Sequence, residues 1–287
     1  MDINFATPHD NFEFTTFKEI IIQLLQDTGY LVDANATGIA TGFDKIDIVT
    51  KGFQLGELSV VASKPGNGKT AFLLSLLFNI ASKSGKTVGV FSPERSAAKM
   101  FYRMISSETR QSVQKIMSGT IKDSEKETIN TVLYTLSKSD IYVDDTPYLS
   151  QSDFHKRCLQ LKNKYGADII FIDGLELLSF PELLDVYEDM EEQSYVLQDI
   201  KAVAKELEMP IVVFSHLANT TNLGVNNAPT INNVYEFIPQ IADSIYLIHR
   251  QNMNDSADII IAQHPDIIEP LTVSLKFIES IDKFVDF

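Results

Sequence analysis

The sequence predicts an α/β fold in which a mostly parallel central sheet is flanked by helices, and three observations support this fold class. Short apolar runs alternate with helical patterns from Leu58 onward, which is typical of strand–helix–strand units. The apolar runs show no polar alternation, as expected for strands that are covered on both faces. Residues 63–70, between a strand and a helix, have the glycine spacing of a phosphate-binding loop.

The composition indicates one large domain with a short appendage. The chain has 287 residues, of which 44% are apolar, enough to bury a full core. Its single cysteine, Cys158, excludes an internal disulfide, and its helical context predicts a small buried side chain. Residues 1–14 lack a basic segment followed by an apolar run, and the most apolar segment, 71–81, is too short to cross a bilayer. We therefore expect a soluble cytoplasmic protein without membrane contact.

The first 35 residues are predicted to form a tail and a linker helix ahead of the main domain, which should span residues 36–287. Residues 15–28 are amphipathic, with Thr15 or Thr16 as the N-cap and Gly29 at the end. Their apolar side chains recur at helical spacing: Phe17, Ile20, Ile21, Leu24 and Leu25. This helix would pack either on its own domain or on a neighbouring subunit.

Eight strands are expected in the main domain, and a helix should begin at Lys69 and continue through Leu77. The last strands follow one another without an intervening helix, so we expect that edge of the sheet to be antiparallel. The expected strands cover residues 57–62, 87–91, 141–143, 168–172, 211–214, 244–248, 259–262 and 272–277.

Residues 63–70 read Ser-Lys-Pro-Gly-Asn-Gly-Lys-Thr and predict a site for ATP and Mg²⁺. Glycines let successive backbone N–H groups converge on one anion, and the following helix N-terminus adds partial positive charge. Lys69 can reach the β- and γ-phosphates, and the Thr70 hydroxyl can coordinate Mg²⁺. The expected nucleotide contacts are Ser63, Lys64, Pro65, Gly66, Asn67, Gly68, Lys69, Thr70 and Ala71.

Three further polar side chains stand at or just beyond the ends of expected strands. Phosphoryl transfer needs a carboxylate near the metal, a base for the attacking water and a sensor of the γ-phosphate. Asp173 follows an apolar strand and is the candidate carboxylate near the metal. Glu94 is the candidate base for the attacking water, and His216 is the candidate sensor of the γ-phosphate. The carboxyl ends of strands are where ligands bind in such sheets. An acid at one strand end is a weak signal, and a helix-capping role for Asp173 is the simpler alternative.

The order of several motifs resembles the C-terminal motor domain of DnaB-type replicative DNA helicases. These motifs are residues 37–44, 52–58, 63–70, 91–94, 142–147 and 173–177. The resemblance covers roughly residues 15–277 and implies a RecA-like fold that binds ATP and Mg²⁺ between adjacent subunits of a ring. It also implies that residues 15–28 are the linker helix, that serine at position 63 is ordinary for the family, and that the family's N-terminal collar domain has no counterpart here.

The same resemblance assigns roles to the motif residues. It implies that Lys69 and Thr70 hold phosphate and metal, that Glu94 activates water and that Asp173 supports the metal. His216 stands at the γ-phosphate sensor position, where the family has glutamine. A neutral histidine donates one hydrogen bond, so the role is compatible with the substitution. A simple loop histidine remains an equal alternative.

The chain departs from the family pattern where a neighbouring subunit should be contacted. A Lys-Gln-Arg run follows a late strand in the family, and its arginine reaches the neighbouring active site. Here that strand is followed by Gln263, His264 and Pro265. An arginine of this kind contributes about 10³ to 10⁵ in rate, so we expect slow hydrolysis. Arg250 would substitute for it in part, contact the nucleotide base, or be an ordinary surface arginine.

The segments that should contact DNA also lack positive charge. Residues 174–200 and 219–240 contain no lysine or arginine. The first segment carries eight acidic residues: Glu176, Glu182, Asp185, Glu188, Asp189, Glu191, Glu192 and Asp199. The whole chain has a formal charge of −15, with 39 acidic and 24 basic residues. Since phosphate contacts dominate DNA affinity, we expect weak or absent DNA binding.

Two functions remain in view. The first is a diverged DnaB-like ATPase that binds Mg·ATP, hydrolyses it slowly or not at all, and acts through protein contacts. The alternative is a functional ATP-dependent helicase motor of DNA replication. The expected partner is either further copies of the chain in a ring, or a replicative helicase or its loader. The departure at residues 263–265 and the acidic segments favour the first function.

Overall fold

The structure, a computed structural model, describes residues 38–178, 189–218, 227–250 and 255–287. These residues belong to one compact unit, Ala36–Phe287. The expected tail and linker helix lie outside the described residues, and so do residues 179–188 and 219–226 of the two expected DNA-contacting segments. Their structures therefore stay predictions.

One sheet of nine strands organises the described residues. Its order is β3-β2-β4-β5-β1-β6-β7-β8-β9. Pairings from β3 through β6 are parallel, and those from β6 to β9 are antiparallel. This arrangement confirms the predicted parallel sheet with an antiparallel edge. The strands are β1 Leu58–Ser63, β2 Val88–Phe91, β3 Ile141–Asp144, β4 Ile169–Asp173, β5 Ile211–His216, β6 Ser244–His249, β7 Ser256–Gln263, β8 Leu271–Ile278 and β9 Lys283–Val285.

The last strand, β9, was not expected from the sequence. It has only three residues, of which Phe284 is buried, and it pairs with β8. So short a strand offers no measurable alternation, which is why pattern reasoning missed it. The eight expected strands are all present, and β7 begins three residues earlier than predicted.

The helices connect the parallel strands and cover both faces of the sheet. Helix α2 begins at Lys69 as predicted and continues as a π-helical stretch, Phe78–Lys83. Cys158 is fully buried on α6, as expected, and burial raises the pKa of its thiol. The helices are α1 Asp44–Thr50, α2 Lys69–Leu77, α3 Ala97–Thr109, α4 Val113–Ser118, α5 Asp123–Ser137, α6 Gln151–Tyr165, α7 Asp189–Glu206 and α8 Ile238–Ile241.

Each face of the sheet has its own apolar core. Val61, Phe171 and Phe214 point to one face with α2 and α3. Val60 and Ile170 belong to the opposite core, which includes α6 and α7. Burial on both faces accounts for the absence of polar alternation in these strands. In the part of the chain that the structure describes, no helix is both long enough and apolar enough to span a membrane.

Candidate functional site

The strand order brings the predicted site residues to one edge of the sheet. Ser63, Asp173 and His216 are the last residues of β1, β4 and β5. These strands lie side by side, with Ser63 opposite His216 and Asp173 opposite Phe214. Strand β2 adjoins β4, and Glu94 follows it by three residues. The carboxyl ends of parallel strands therefore gather all four positions around the loop after β1.

The loop after β1 has the backbone shape that a phosphate-binding loop requires. Gly66 and Gly68 have φ values of 82° and 91°, in the left-handed region. Gly68 is also the N-cap of α2, and a Cβ there would lie 3.1 Å from the Phe284 ring. Any larger residue at this position would be strained in its backbone and crowded by that ring. Asn67 N–H donates to the Lys64 carbonyl at 3.2 Å and helps to close the loop.

A cavity of about 320 Å³ lies over this loop. Most of the predicted site residues line it, including Lys69, Glu94, Asp173 and His216. The complete lining is Ser63, Lys64, Pro65, Gly66, Gly68, Lys69, Thr70, Ala71, Glu94, Arg95, Arg103, Asp173, His216 and Asp282. Asn67 and Arg250 were also predicted to bind nucleotide, and neither lines this cavity. Asn67, within the loop, donates from Nδ2 to the Ile248 carbonyl at 3.5 Å, and Arg250 donates to the Gly66 carbonyl of the loop.

Burial perturbs the ionisable groups at the base of the cavity. It raises the pKa of Asp173, which is 2% exposed, although the neighbouring Arg95 and Lys69 oppose the rise. It lowers the pKa of Lys69, an effect that Glu176, Asp173 and Glu94 oppose. Each charge is thus disfavoured by desolvation and supported by an opposite charge nearby. A cation that enters the cavity would meet the carboxylate of Asp173, and an anion would meet the ammonium group of Lys69.

Two arginines in the cavity were missed by the sequence analysis. Arg95 follows Glu94 directly, and Arg103 lies on α3, one or two turns further along the chain. Arg103 Nη2 is 2.7 Å from Asp282 Oδ2, in an ion pair that joins α3 to the C-terminal region. Asp282 is one of four non-glycine residues with positive φ among the described residues, at 52°. The local sequence pattern does not predict the ion pair between Arg103 and Asp282, because the two residues are far apart in the chain.

Glu176 is a further residue that sequence reasoning left without a site role. Its Oε1 accepts hydrogen bonds from the Ser215 hydroxyl, at 2.6 Å, and from the His216 backbone N–H. The other oxygen, Oε2, is buried without a hydrogen-bond partner. Glu176 therefore ties the segment after β4 to the end of β5 and fixes the backbone from which His216 projects.

Arg250 lies against the phosphate-binding loop rather than projecting freely. Its guanidinium carbon is 3.7 Å from the centre of the Phe277 ring, and Nη1 is 3.5 Å from the Gly66 carbonyl. Nη2 is 3.6 Å from Glu279 Oε1, and only 17% of the side chain is exposed. These contacts are those of a residue that supports the loop of its own domain.

Gln263, the last residue of β7, and His264 after it face their own domain as well. Gln263 Nε2 donates to the carbonyls of Pro239 and Ala242, at 3.2 and 2.8 Å. His264 is buried, and burial lowers its pKa, which favours the neutral imidazole. Pro265 is exposed and carries no donor. In this conformation none of the three offers a positive charge to a neighbour.

The cavity fits a nucleotide phosphate chain with a hydrated divalent cation. A Cβ on Gly66 would meet nothing within 4 Å, so the loop backbone faces open space. Asp173 Oδ2 and Arg95 Nε are buried and have no hydrogen-bond partner, as expected of groups that complete their contacts with a ligand. No cluster of three or more histidine, cysteine or acidic ligands occurs among the described residues. A site of this kind suits Mg²⁺, which keeps several waters and substrate oxygens as ligands.

A mostly parallel sheet, a glycine-rich loop that caps a helix, and an acid at the end of a nearby strand of the same sheet define a P-loop NTPase. Comparison with solved structures agrees with this class. The chain superposes on a structure described as an ATPase domain with a TM-score of 0.87 and 25% identity, covering 96% of this chain and 100% of that one. A structure of a DnaB-like replicative helicase, described with its interactions with primase, has the same fold, with a TM-score of 0.84 and 24% identity over 96% of this chain and 68% of that one. The predicted RecA-like fold is confirmed.

Residues 38–286 match the family described as the DnaB-like helicase C terminal domain, and the chain belongs to that family. "Replicative DNA helicase DnaB" of Geobacillus stearothermophilus is 33% identical over 285 residues. "Replicative DNA helicase DnaC" of Bacillus subtilis is 30% identical over the same length. In both cases the match covers 95% of this chain and 62% of the relative. The chain thus spans about three fifths of the length of these curated relatives.

Proposed function

We propose that this chain is a diverged DnaB-type ATPase domain that binds Mg·ATP, hydrolyses it slowly or not at all, binds DNA weakly and acts through protein contacts. The observation that carries the proposal is the cavity over residues 63–70, which joins a complete phosphate-binding loop to Glu94 and Asp173. The residues that would serve a neighbouring subunit or DNA lack the cations those tasks require.

Binding of ATP would depend on the loop and the start of α2. The backbone N–H groups of residues 66–70 and the helix N-terminus suit the phosphates, and Lys69 adds a full positive charge. Thr70 and Asp173 would hold the hydrated Mg²⁺, which supplies charge neutralisation at the phosphate oxygens. Lys69 loses solvation through burial, so a phosphate in the cavity would restore a favourable environment to it.

Hydrolysis would depend on Glu94 and His216. The side chain of Glu94 is 52% exposed and would accept a proton from the attacking water. His216 would donate a hydrogen bond to the γ-phosphate from a backbone that Glu176 fixes. The attacking water and the leaving group need further positive charge in the transition state. Slow turnover follows in this proposal because Gln263 and His264 face their own domain.

Weak DNA binding follows from charge. Described residues 174–178 and 189–200 carry acids and no cation, and residues 227–240 carry one acid, Glu236, and no cation. A surface gains DNA affinity by releasing counter-ions from phosphates, which requires lysine or arginine. The formal charge of −15 opposes the approach of a polyanion in addition.

A functional replicative helicase motor is the second candidate. Family membership and the names of the two relatives favour it. In that case the chain would assemble into a ring and contact DNA through residues 174–200 and 219–240. In the diverged case it would contact further copies of itself, a replicative helicase or its loader. For either activity the proposed location is the cytoplasm.

Binding of single-stranded DNA across salt concentrations separates the two candidates. The diverged domain should bind weakly, with an affinity that rises little as salt is lowered, because few counter-ions are released. A helicase motor should show a submicromolar Kd and a steep salt dependence. The measurement requires Mg·ATP to be present, and ATP binding is verified first by the shift of the melting temperature.

A further inference from the structure

Arg95 lies between the two acids of the candidate site. Its Nη2 is 3.7 Å from Glu94 Oε1, and its Nε is 3.8 Å from Asp173 Oδ2. It also opposes the rise in the pKa of Asp173 more strongly than any other neighbour. One guanidinium therefore acts as counter-ion to both the expected base and the expected metal residue.

The guanidinium of Arg95 is held loosely, whereas its backbone is fixed. Both ion-pair distances exceed hydrogen-bond length, and Nε is buried without a hydrogen-bond partner. The Arg95 N–H donates to the Ser92 carbonyl at 3.4 Å, and the Ser92 hydroxyl donates to the Arg95 carbonyl at 2.9 Å. A side chain anchored at its backbone and free of hydrogen bonds at its head can move between two partners within the cavity.

The other described arginine of this cavity has a direct ionic hydrogen bond. Arg103 Nη2 donates to Asp282 at 2.7 Å. Arg250, behind the loop, is stacked on Phe277. Both would have to leave established partners to reach a phosphate. Arg95 would only exchange two carboxylates at 3.7 and 3.8 Å for a phosphate group.

We propose that Arg95 is the catalytic cation of this domain and supplies in cis part of the positive charge that residues 263–265 lack. The inference rests on the proposed Mg·ATP binding. Without nucleotide, Arg95 neutralises Asp173 and Glu94. Asp173 would be neutralised by a bound Mg²⁺, which would leave the Arg95 guanidinium to donate to the transferring phosphoryl group, whose oxygens match its planar fork of donors.

The chemical step balances without a further reactant. The water oxygen bonds to the γ-phosphorus, the bond from that phosphorus to the β–γ bridging oxygen breaks, and the water proton goes to Glu94. Arg95 donates hydrogen bonds throughout and exchanges no proton. Its charge stabilises the oxygens on which negative charge accumulates in the transition state.

Affinities for ADP and for ADP with tetrafluoroaluminate, both with Mg²⁺, test the assignment. They are measured on the parent, Arg95→Met, Arg95→Lys and the control Lys99→Met, at concentrations where the protein is monomeric. Transition-state analogues bind at least about 10²-fold more tightly than ground-state ligands. Arg95→Met should lose that preference by about 10²-fold or more while its ADP affinity stays close to the parental value. Arg95→Lys should keep part of the preference, and Lys99→Met, which removes an exposed charge from the nearby helix α3, should keep all of it.

The outcomes distinguish this inference from the proposed function. A parent that binds neither complex contradicts Mg·ATP binding itself. A parent that binds ADP and shows no preference for the fluoride complex overturns the role of Arg95. An Arg95→Met variant with the parental preference overturns it as well. Equal losses for ADP and the fluoride complex would show that Arg95 only supports the structure, which also contradicts the inference. Thermal melts of each variant verify folding. If Arg95→Met does not fold, the comparison of Arg95→Lys with the parent tests the inference instead.

Discussion

At the scale of single residues, the candidate site contains ionisable side chains whose charged forms are disfavoured by burial. Burial raises the pKa of Asp173 and lowers that of Lys69. Asp173 Oδ2 additionally lacks a hydrogen bond. Such groups destabilise a folded domain unless a ligand completes their contacts, so they mark functional sites more often than structural ones.

Lys69→Ala should abolish the stabilisation of the domain by Mg·ATP. For the parent, a ligand concentration of about 100 times Kd raises the free energy of unfolding by roughly 2.7 kcal/mol. The alanine variant loses the cation that meets the phosphates, so its melting temperature should not respond to ATP. Differential scanning fluorimetry measures both responses. A parent whose melting temperature ignores Mg·ATP would defeat the phosphate-loop interpretation.

Glu94→Gln and Asp173→Asn should have different effects. The glutamine variant should keep the parental affinity for ATP and lose hydrolysis, because the amide accepts no proton from water. The asparagine variant should also weaken the Mg²⁺-dependent part of ATP binding, because it removes a charge that supports the metal shell. Isothermal titration with and without Mg²⁺, beside a phosphate-release assay, separates the two. Parental turnover in Glu94→Gln would show that the base has been misassigned.

At the scale of elements, the C-terminal strands support the phosphate-binding loop from below. The Phe284 ring of β9 lies 5.3 Å from that of Phe72 on α2 and 4.9 Å from that of Phe277 on β8. A Cβ on Gly68 would be 3.1 Å from Phe284 and 3.4 Å from Phe277. The Phe284 N–H also donates to Ser75 Oγ at 3.2 Å. The unexpected strand β9 is thus part of the base of the site.

Phe284→Ala should destabilise the domain and weaken ATP binding together. Truncating a fully buried phenylalanine costs about 3–5 kcal/mol, and here the cavity would open beneath Gly68. Urea unfolding gives the stability, and calorimetry under native conditions gives the Kd for ATP. Phe287→Ala is the matched control, because that ring is 69% exposed and should change neither quantity appreciably. If a folded Phe284→Ala protein bound ATP with the parental affinity, Phe284 would not be needed to support the phosphate-binding loop.

Substitutions in residues 263–265 test whether the cations that the family contributes to a neighbouring active site can be restored. Gln263→Lys with Pro265→Arg should raise kcat by about tenfold, roughly 1.4 kcal/mol of barrier. The rise requires an assembly in which this segment faces the γ-phosphate of the next subunit. Ile268→Lys, at a fully exposed position between β7 and β8, adds charge without the family's spacing and should have no effect. No rise in a confirmed oligomer would mean that the interface itself has diverged.

At the scale of the whole molecule, patterns local in sequence were predictable and contacts between distant segments were not. The eight longer strands, the start of α2 at Lys69 and burial of Cys158 followed from apolar patterning. The edge that joins Ser63, Asp173 and His216 followed from the rule that parallel strands share their carboxyl ends. Arg103 beside Asp282 and Phe284 beneath Gly68 depend on how distant segments pack. Arg95 stood next to a motif residue, but its direction toward Asp173 is a matter of side-chain geometry.

The most direct test of divergence from a helicase motor is the rate of ATP hydrolysis, measured with and without single-stranded DNA on protein of known oligomeric state. The account predicts turnover well below the typical enzyme value of about 10 per second. It also predicts a rate per subunit that changes neither with protein concentration nor with DNA, because Arg95 acts in cis and the acidic segments gain nothing from phosphates. Turnover of several ATP per second that rises on assembly or with DNA would contradict the account and identify a working motor.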